Sequence, residues 1–163
     1  MSEKRPPSPG KALEALKNLL MNQRVGVLST FDGVTPYANI IAFTVTKDFK
    51  EILFASPRAT RKIANLEKLP KAALLVDNRS NSADDFHAAS AVTAIGDIRE
   101  VSDSDRELMI RLYLESHPYL EDFVRSPSCA FIKIQVSSYI LVRNFQEVTE
   151  FHSPFNPLNE AFP

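Results

Sequence analysis

Residues 25–46, VGVLSTFDGVTPYANIIAFTVT, contain two β-rich runs separated by a turn, and they decide the fold class. The first run covers Val25 to Thr30 and the second covers Tyr37 to Thr46. Both contain the β-branched and aromatic residues that are enriched in strands. Asp32-Gly33 lies between them and is a dipeptide that favours tight hairpin turns. Because the connection is short, we expect the two runs to pair as antiparallel strands.

The rest of the chain continues this pattern of short strands with helices between them. Further strands are predicted at Glu51–Ala55, Ala72–Val76, Ala88–Val101, Cys129–Val136 and Tyr139–Val142. Helices are predicted for the amphipathic stretch around Ala12–Leu20, for Thr60–Lys68 and for the residues that follow Ser102. An antiparallel sheet with at least six strands tends to close and so remove its edges. The expected fold is therefore mainly β (α+β).

The chain is expected to form one domain, because its 163 residues show no internal repeat and no change in composition that would mark a second domain. We predict a flexible N-terminal tail over residues 1–10, a folded domain over 11–152 and a C-terminal extension over 153–163 that is rich in proline and phenylalanine. No apolar run is long enough to span a bilayer, and the start of the chain lacks the apolar stretch of a signal peptide. The expected location is the cytoplasm, with no membrane partner.

Composition argues against several other classes of function. The formal net charge is −1, so the chain lacks the positive excess typical of nucleic-acid binding proteins. Cys129 is the single cysteine, which rules out an intrachain disulfide and suits a reducing compartment. His87, His117 and His152 are far apart in sequence and do not show the spacing of metal ligands, so no metal is expected.

The best candidate for a ligand site is Phe54–Asn65, FASPRATRKIAN, which runs from a strand end into a helix. Thr60, Arg61 and Lys62 lie where that helix begins. Helix N-termini attract anions, whereas cationic side chains there oppose the helix dipole. Two such cations suggest a bound anion, and a phosphate is the natural choice for an arginine beside a lysine. The segment alone is also compatible with solvated charges on a short helix.

A series of segments resembles the pyridoxamine 5′-phosphate oxidase family. It comprises Pro36–Phe43, the strand end Phe54-Ala55-Ser56, Thr60-Arg61-Lys62, Asn65-Leu66 with Pro70, and Val92–Gly96. The similarity covers residues 24–101 well and extends over the last third only in layout. The resemblance implies a six-stranded antiparallel split β-barrel with short flanking helices. It also implies a homodimer that binds FMN in two equivalent clefts between the subunits.

By position, the resemblance assigns cofactor contacts to four groups of residues. Asn39, Ile40, Ile41 and Ala42 would lie beside the isoalloxazine ring through backbone groups, and Ala55 and Ser56 would contact the ribityl chain or the ring edge. Arg61 and Lys62 would hold the phosphate with help from Thr60. Ser90 and Ala91 would contact the ring from the opposite side. Apart from the resemblance, the polar stretch Asp77–Asn81 offers many donors, and its Arg79 could reach the phosphate or the pyrimidine edge; the stretch is also compatible with an exposed polar loop.

Departures from the family pattern argue against oxidation of pyridoxamine phosphate itself. Asn39 stands where the vitamin-converting enzyme is expected to have an arginine, and Thr44 stands in place of a lysine. We therefore expect an FMN-dependent oxidoreductase acting on another small molecule or electron donor, with no assigned catalytic residue. The alternatives are a flavin carrier, a haem-binding protein using His87 or His152, and a deazaflavin-dependent reductase.

Overall fold

The computed structural model describes residues 9–153, so most of the predicted tail and all but the first residue of the predicted extension lie outside it. The helices are α1 (Pro9–Asn22), α2 (Arg61–Lys68), α3 (Asp85–Ala88), α4 (Asp103–Ser116) and α5 (Glu121–Arg125), with a 3₁₀ turn at Pro118–Leu120. The strands are β1 (Val25–Phe31), β2 (Pro36–Val45), β3 (Glu51–Pro57), β4 (Lys71–Asp77), β5 (Ser90–Glu100), β6 (Cys129–Arg143) and β7 (Glu147–His152).

The strands form an antiparallel sheet in the order β3-β2-β1-β4-β5-β6-β7, and an additional pairing between β3 and β6 closes it. Strands β1 to β6 thus make the barrel, and β7 is attached outside it along β6. The predicted six-stranded antiparallel barrel is confirmed. None of the helices in residues 9–153 has the length and apolar composition needed to cross a membrane.

The β1–β2 hairpin shows the predicted turn. Val25 pairs with Ala42 at one end and Phe31 with Pro36 at the other. An Asp32 carboxylate oxygen accepts hydrogen bonds from the backbone N–H groups of Thr35 (2.7 Å) and Val34 (2.8 Å). These two bonds are the main reason why the pKa of Asp32 is lowered. The Asp-Gly pair therefore closes the hairpin through the aspartate side chain.

Two hydrophobic clusters stabilise the fold. The larger one fills the barrel and is completed by the apolar side of α1, which contributes Ala12, Leu13, Leu16, Leu19 and Leu20. The smaller one lies outside the barrel, where helices α4 and α5 cover part of β3 and β6. Its fully enclosed members are Leu53, Tyr113, Val124 and Phe131. The rest of the outer surface of the barrel is less covered, and this difference positions the candidate site.

The predicted boundary between two final strands is wrong, because β6 is one strand of 15 residues. Ile95 pairs with Ser138 and Gly96 with Val136, which leaves Ser137 as an unpaired bulge residue. The gap between the two predicted strands falls at the polar pair Ser137-Ser138, where a bulge accommodates the extra residue without ending the strand. Strand β7 was not predicted, because its polar residues Glu147, Thr149 and Glu150 interrupt the alternation of apolar and polar residues that is typical of a half-buried strand.

Candidate functional site

Helix α2 begins without a side-chain cap. Thr60 is its N-cap residue, with extended backbone angles (φ −130°, ψ 153°), but its side chain makes no capping hydrogen bond. The Thr60 hydroxyl donates instead to the Pro57 carbonyl oxygen (3.0 Å) and lies 3.3 Å from the Ser56 hydroxyl. The first turn also contains no acidic residue. The N–H groups at this end of the helix are therefore available to an anion.

Arg61 is held beside this helix start by two weak contacts. Its guanidinium carbon lies 5.0 Å from the centre of the Tyr37 ring, a cation–π distance. One guanidinium nitrogen lies 3.9 Å from a carboxylate oxygen of Asp32, and the Arg61 side chain remains 52 % exposed. Such an exposed, long ion pair contributes little energy. The guanidinium therefore keeps most of its donors free for another acceptor.

Lys62 is the most informative side chain at the site. It is half-buried, and burial lowers its pKa. Among residues 9–153, no carboxylate lies within 4.0 Å of its ammonium group, and the side chain makes no hydrogen bond. A cation that is partly removed from water without a partner is unfavourable. The position of Lys62 therefore indicates an anion that would offset this cost.

The predicted ring contacts on β2 divide between the two faces of the strand. Asn39 and Ile41 point towards the barrel interior, and Ile40 and Ala42 point outwards. Ala42 packs with Ala55 of β3 against the outer cluster, so these two predicted contacts are neighbours. The Asn39 side-chain oxygen is buried without a hydrogen-bond partner in the described part of the chain.

Ser56 has no exposed surface. Its hydroxyl donates to the Pro57 carbonyl oxygen at 3.1 Å and contacts Thr60, as described above. In this chain the serine therefore fixes the connection between β3 and α2.

The remaining predicted contacts lie at the opposite end of β1 from α2. Ala91 pairs with Asp77 at the end of β4, and the backbone N–H of Ser90 donates to the side-chain oxygen of Asn78 at 2.7 Å. Because β1 has seven residues, the two ends are about 20 Å apart. Arg79 lines a hollow of about 210 Å³ together with Ile40. The structure thus links this group to the ring contacts on β2 and separates it from the phosphate group.

The polar loop after β4 uses most of its own donors. The Asp85 carboxylate accepts backbone hydrogen bonds from Asn81 (2.7 Å), Ser80 (3.0 Å) and Ser82 (3.2 Å). These bonds, with the Ser80 hydroxyl, lower the pKa of Asp85. Arg79 is exposed and pairs with Asp77 at 3.1 Å. The sequence suggests that this loop offers many donors, and in the structure Asp85 satisfies several of them.

The three histidines have different environments. His87 and His152 are exposed, and the His152 ring nitrogen lies 3.3 Å from a Glu150 carboxylate oxygen. His117 is fully buried directly after α4, with Nε2 2.8 Å from the Phe43 carbonyl oxygen. His117 is the residue at which α4 ends.

An apolar row crosses the outer surface of five neighbouring strands. Ile40, Val27, Leu75, Thr93 and Ile140 are consecutive partners in the sheet register. Ile40 is 71 % exposed, and the other four side chains are half-buried. Large aliphatic groups in such a row, called here the open face, are typical of a protein interface.

Comparison with known proteins identifies the family of this chain. The family profile described as Pyridoxamine 5′-phosphate oxidase matches residues 12–143. No curated protein matched the sequence.

Several solved structures share the fold. A haem-binding protein from Mycobacterium smegmatis superimposes with a TM-score of 0.75 at 14 % identity, covering 91 % of this chain and 59 % of that one. General Stress Protein 26 from Bacillus anthracis superimposes with a TM-score of 0.66 at 18 % identity, covering 86 % of this chain and 97 % of that one. An FAD-binding protein from Mesorhizobium loti superimposes with a TM-score of 0.64 at 18 % identity, covering 84 % of this chain and 95 % of that one. These identities show a shared fold. With the profile match over most of its length, the chain belongs to the pyridoxamine 5′-phosphate oxidase family.

Proposed function

We propose that this protein is a homodimeric FMN-binding flavoprotein that acts as an oxidoreductase on a small molecule. The observation that carries the proposal is the half-buried Lys62, whose ammonium group has no partner among residues 9–153, beside Arg61 at an uncapped helix start. A phosphate group fits this arrangement, because it can accept hydrogen bonds from the helix N–H groups and from both cations. Bound FMN would supply hydride transfer.

The charges at the start of α2 fit the phosphate group of the proposed cofactor. Arg61, Lys62 and Thr60 would hold the phosphate, and the strand residues from Asn39 to Ala42 would lie along the ring. The Asn39 side chain points into the barrel, where its oxygen has no hydrogen-bond partner among residues 9–153, so Asn39 would meet the ring through its backbone groups. Ala55, Ser90, Ala91 and Arg79 remain proposed contacts from the neighbouring strands. The haem-binding relative makes haem the second candidate, for which His87 and His152 are exposed potential ligands.

Mass spectrometry of the molecule that copurifies with the protein tests the cofactor. We expect a yellow protein that releases FMN, and a titration of the cofactor-free protein with FMN that quenches flavin fluorescence. Bleaching by NADH or NADPH would support the oxidoreductase. Release of haem, loss of its Soret band in the His87→Ala or His152→Ala variant, or selective binding of a deazaflavin would overturn the assignment to FMN.

Replacing Ile40 by aspartate is expected to convert the proposed dimer into a monomer. Ile40 is the most exposed member of the open face, and in a dimer its side chain would be covered by the second copy. A buried unpaired carboxylate would cost several kcal/mol, on the order of a thousandfold in the dimerisation constant. Light scattering after size-exclusion chromatography measures the mass.

Leu108→Asp is the matched control, because Leu108 is also exposed (66 %) but lies on α4 away from the open face. We expect this variant to remain dimeric. A wild-type protein that is monomeric at high concentration, or an Ile40→Asp variant that stays dimeric, would contradict the proposed interface.

FMN affinity is expected to decrease at alkaline pH as Lys62 loses its proton. Burial lowers the pKa of Lys62 in the free protein, and a bound phosphate would raise it again. The lysine contribution is therefore complete below the free-state pKa and is lost as the pH rises through the pKa of the complex. FMN titrations from neutral to alkaline pH measure this decrease.

The Lys62→Arg variant is the control, because arginine keeps its charge over this range. Its affinity should fall less than that of the wild type, and ionisation of the flavin itself affects both proteins equally. Identical pH profiles for the two proteins would show that Lys62 does not contact the phosphate.

A further inference from the structure

Tyr37 lies outside the predicted cofactor contacts, but its ring contacts one of the two cations proposed to hold the phosphate. The Arg61 guanidinium carbon lies over this ring, 5.0 Å from its centre. Arginine stacks on aromatic rings more often than lysine does, because its guanidinium is planar and weakly hydrated. Without the ring, a solvent-exposed arginine side chain would sample many rotamers. The ring therefore restricts the guanidinium to one place beside the helix start.

The Tyr37 ring is itself fixed relative to α2. Tyr37 pairs with Thr30 across the β1–β2 hairpin. The Thr30 hydroxyl accepts a hydrogen bond from the side-chain amide of Asn65 at 3.0 Å, and both of these residues are buried. Asn65 lies one helical turn after Arg61 in the same helix. The hairpin end and the start of α2 thus keep their relative position, and the ring and the guanidinium with them.

Asp32 uses its two carboxylate oxygens for different partners. Oδ1 accepts the backbone hydrogen bonds from Thr35 and Val34 that close the hairpin turn. Oδ2 lies 3.9 Å from the Nη2 atom of Arg61. The two turn bonds fix the carboxylate in place and lower the pKa of Asp32, so the group is charged at neutral pH. Asp32 is therefore a fixed counter-ion of Arg61 in the unliganded protein.

We propose that Tyr37 and Asp32 have opposite effects on the proposed phosphate site: the Tyr37 ring holds the Arg61 guanidinium in place for the phosphate, and the Asp32 carboxylate competes with the phosphate for it. This inference rests on the proposed function, because it concerns the same site. On binding, Arg61 exchanges Asp32 for the phosphate oxygens and keeps its contact with the ring. Tyr37 is thus a positioning residue that acts through Arg61, and it reduces the entropy lost when the guanidinium is ordered.

Fluorescence titration of the cofactor-free protein with FMN tests the role of Tyr37. Tyr37→Leu should weaken FMN binding about two- to fivefold, the contribution of a cation–π contact at an exposed site. Tyr37→Phe keeps an aromatic ring beneath the guanidinium and should bind FMN as the wild type does. In the Arg61→Ala background, Tyr37→Leu should have no further effect, because the ring acts only through the guanidinium.

The outcomes separate this inference from the proposed function. Equal weakening by Tyr37→Leu and Tyr37→Phe, or the same effect of Tyr37→Leu with and without Arg61, would overturn the positioning role. If the wild type binds FMN and Tyr37→Leu binds it equally tightly, this inference alone is wrong. A wild type without affinity for FMN would overturn the proposed function, and this inference with it.

Asp32→Asn separates the two functions of the carboxylate. The asparagine Oδ1 can still accept the turn hydrogen bonds, but its side chain carries no charge that attracts Arg61. FMN affinity should therefore rise about two- to fivefold, the range of an exposed ion pair. A purely structural role of Asp32 predicts unchanged or weaker binding, and either result would overturn the proposed competition.

Discussion

Replacing Arg61 and Lys62 together by alanine is expected to weaken FMN binding by about a hundredfold or more. Hydrogen bonds to charged groups contribute about 1.5–3 kcal/mol each, and the double variant removes two of them from the proposed phosphate site. The effect on the unliganded protein should be small, because Arg61 makes a long exposed ion pair and one cation–π contact with Tyr37, and the partly buried Lys62 has no partner among the described residues. Fluorescence titration of the cofactor-free protein with FMN measures the change.

Lys68→Ala is the matched control, because Lys68 lies in the last turn of the same helix. It removes a cation at the end where cations stabilise the helix, so it should lower stability slightly and leave FMN affinity unchanged. If the double variant binds FMN as tightly as the wild type, the helix start is not the phosphate site. If Lys68→Ala weakens FMN binding as much as the double variant does, the loss of affinity reflects the overall charge of the protein and not a specific contact with the phosphate.

The strands could be predicted from local features of the sequence wherever one face of the strand is buried. Residues 25–46 alternate between buried and exposed positions and contain a turn dipeptide, so both strands and their pairing were correct. Strand β7 pairs along the outside of β6, and Phe151 is its one buried residue. The alternation of buried and exposed residues in β7 was therefore too weak to predict this strand. Closure through β3 and β6 depends on residues 72 to 84 positions apart, which local patterns do not report.

The candidate site was predictable in its charges but not in its geometry. The cluster at Arg61 and Lys62 was visible because cations at a helix start are unfavourable without an anion. The contact of Arg61 with Tyr37 joins residues from different elements and has no sequence signature. The use of the loop donors by Asp85 was likewise not recognised, since an aspartate in a polar loop looks ordinary.

Substituting Gly96 by alanine is expected to cause the largest loss of stability among these changes, because β5 and β6 approach too closely for a side chain at this position. A Cβ atom on Gly96 would lie 2.1 Å from the carbonyl oxygen of Gln135 and 2.7 Å from its carbonyl carbon. Both are backbone atoms, so no side-chain rotation relieves the overlap. The strands would have to separate beside the bulge at Ser137, in the longest pairing of the barrel.

We expect this substitution to lower the free energy of unfolding by about 3 kcal/mol or more, the upper part of the range for overpacked interiors. At about 2–4 °C per kcal/mol for a protein of this size, the melting temperature should fall by roughly 6–12 °C. Gly33→Ala is the comparison, since Gly33 has a positive φ of 100° but no atom within 4 Å of the added Cβ. It should cost only the backbone strain, roughly 1–2 kcal/mol. Because backbone strain acts at Gly33 and steric overlap at Gly96, equal losses would mean that β5 and β6 can separate at the bulge with little cost.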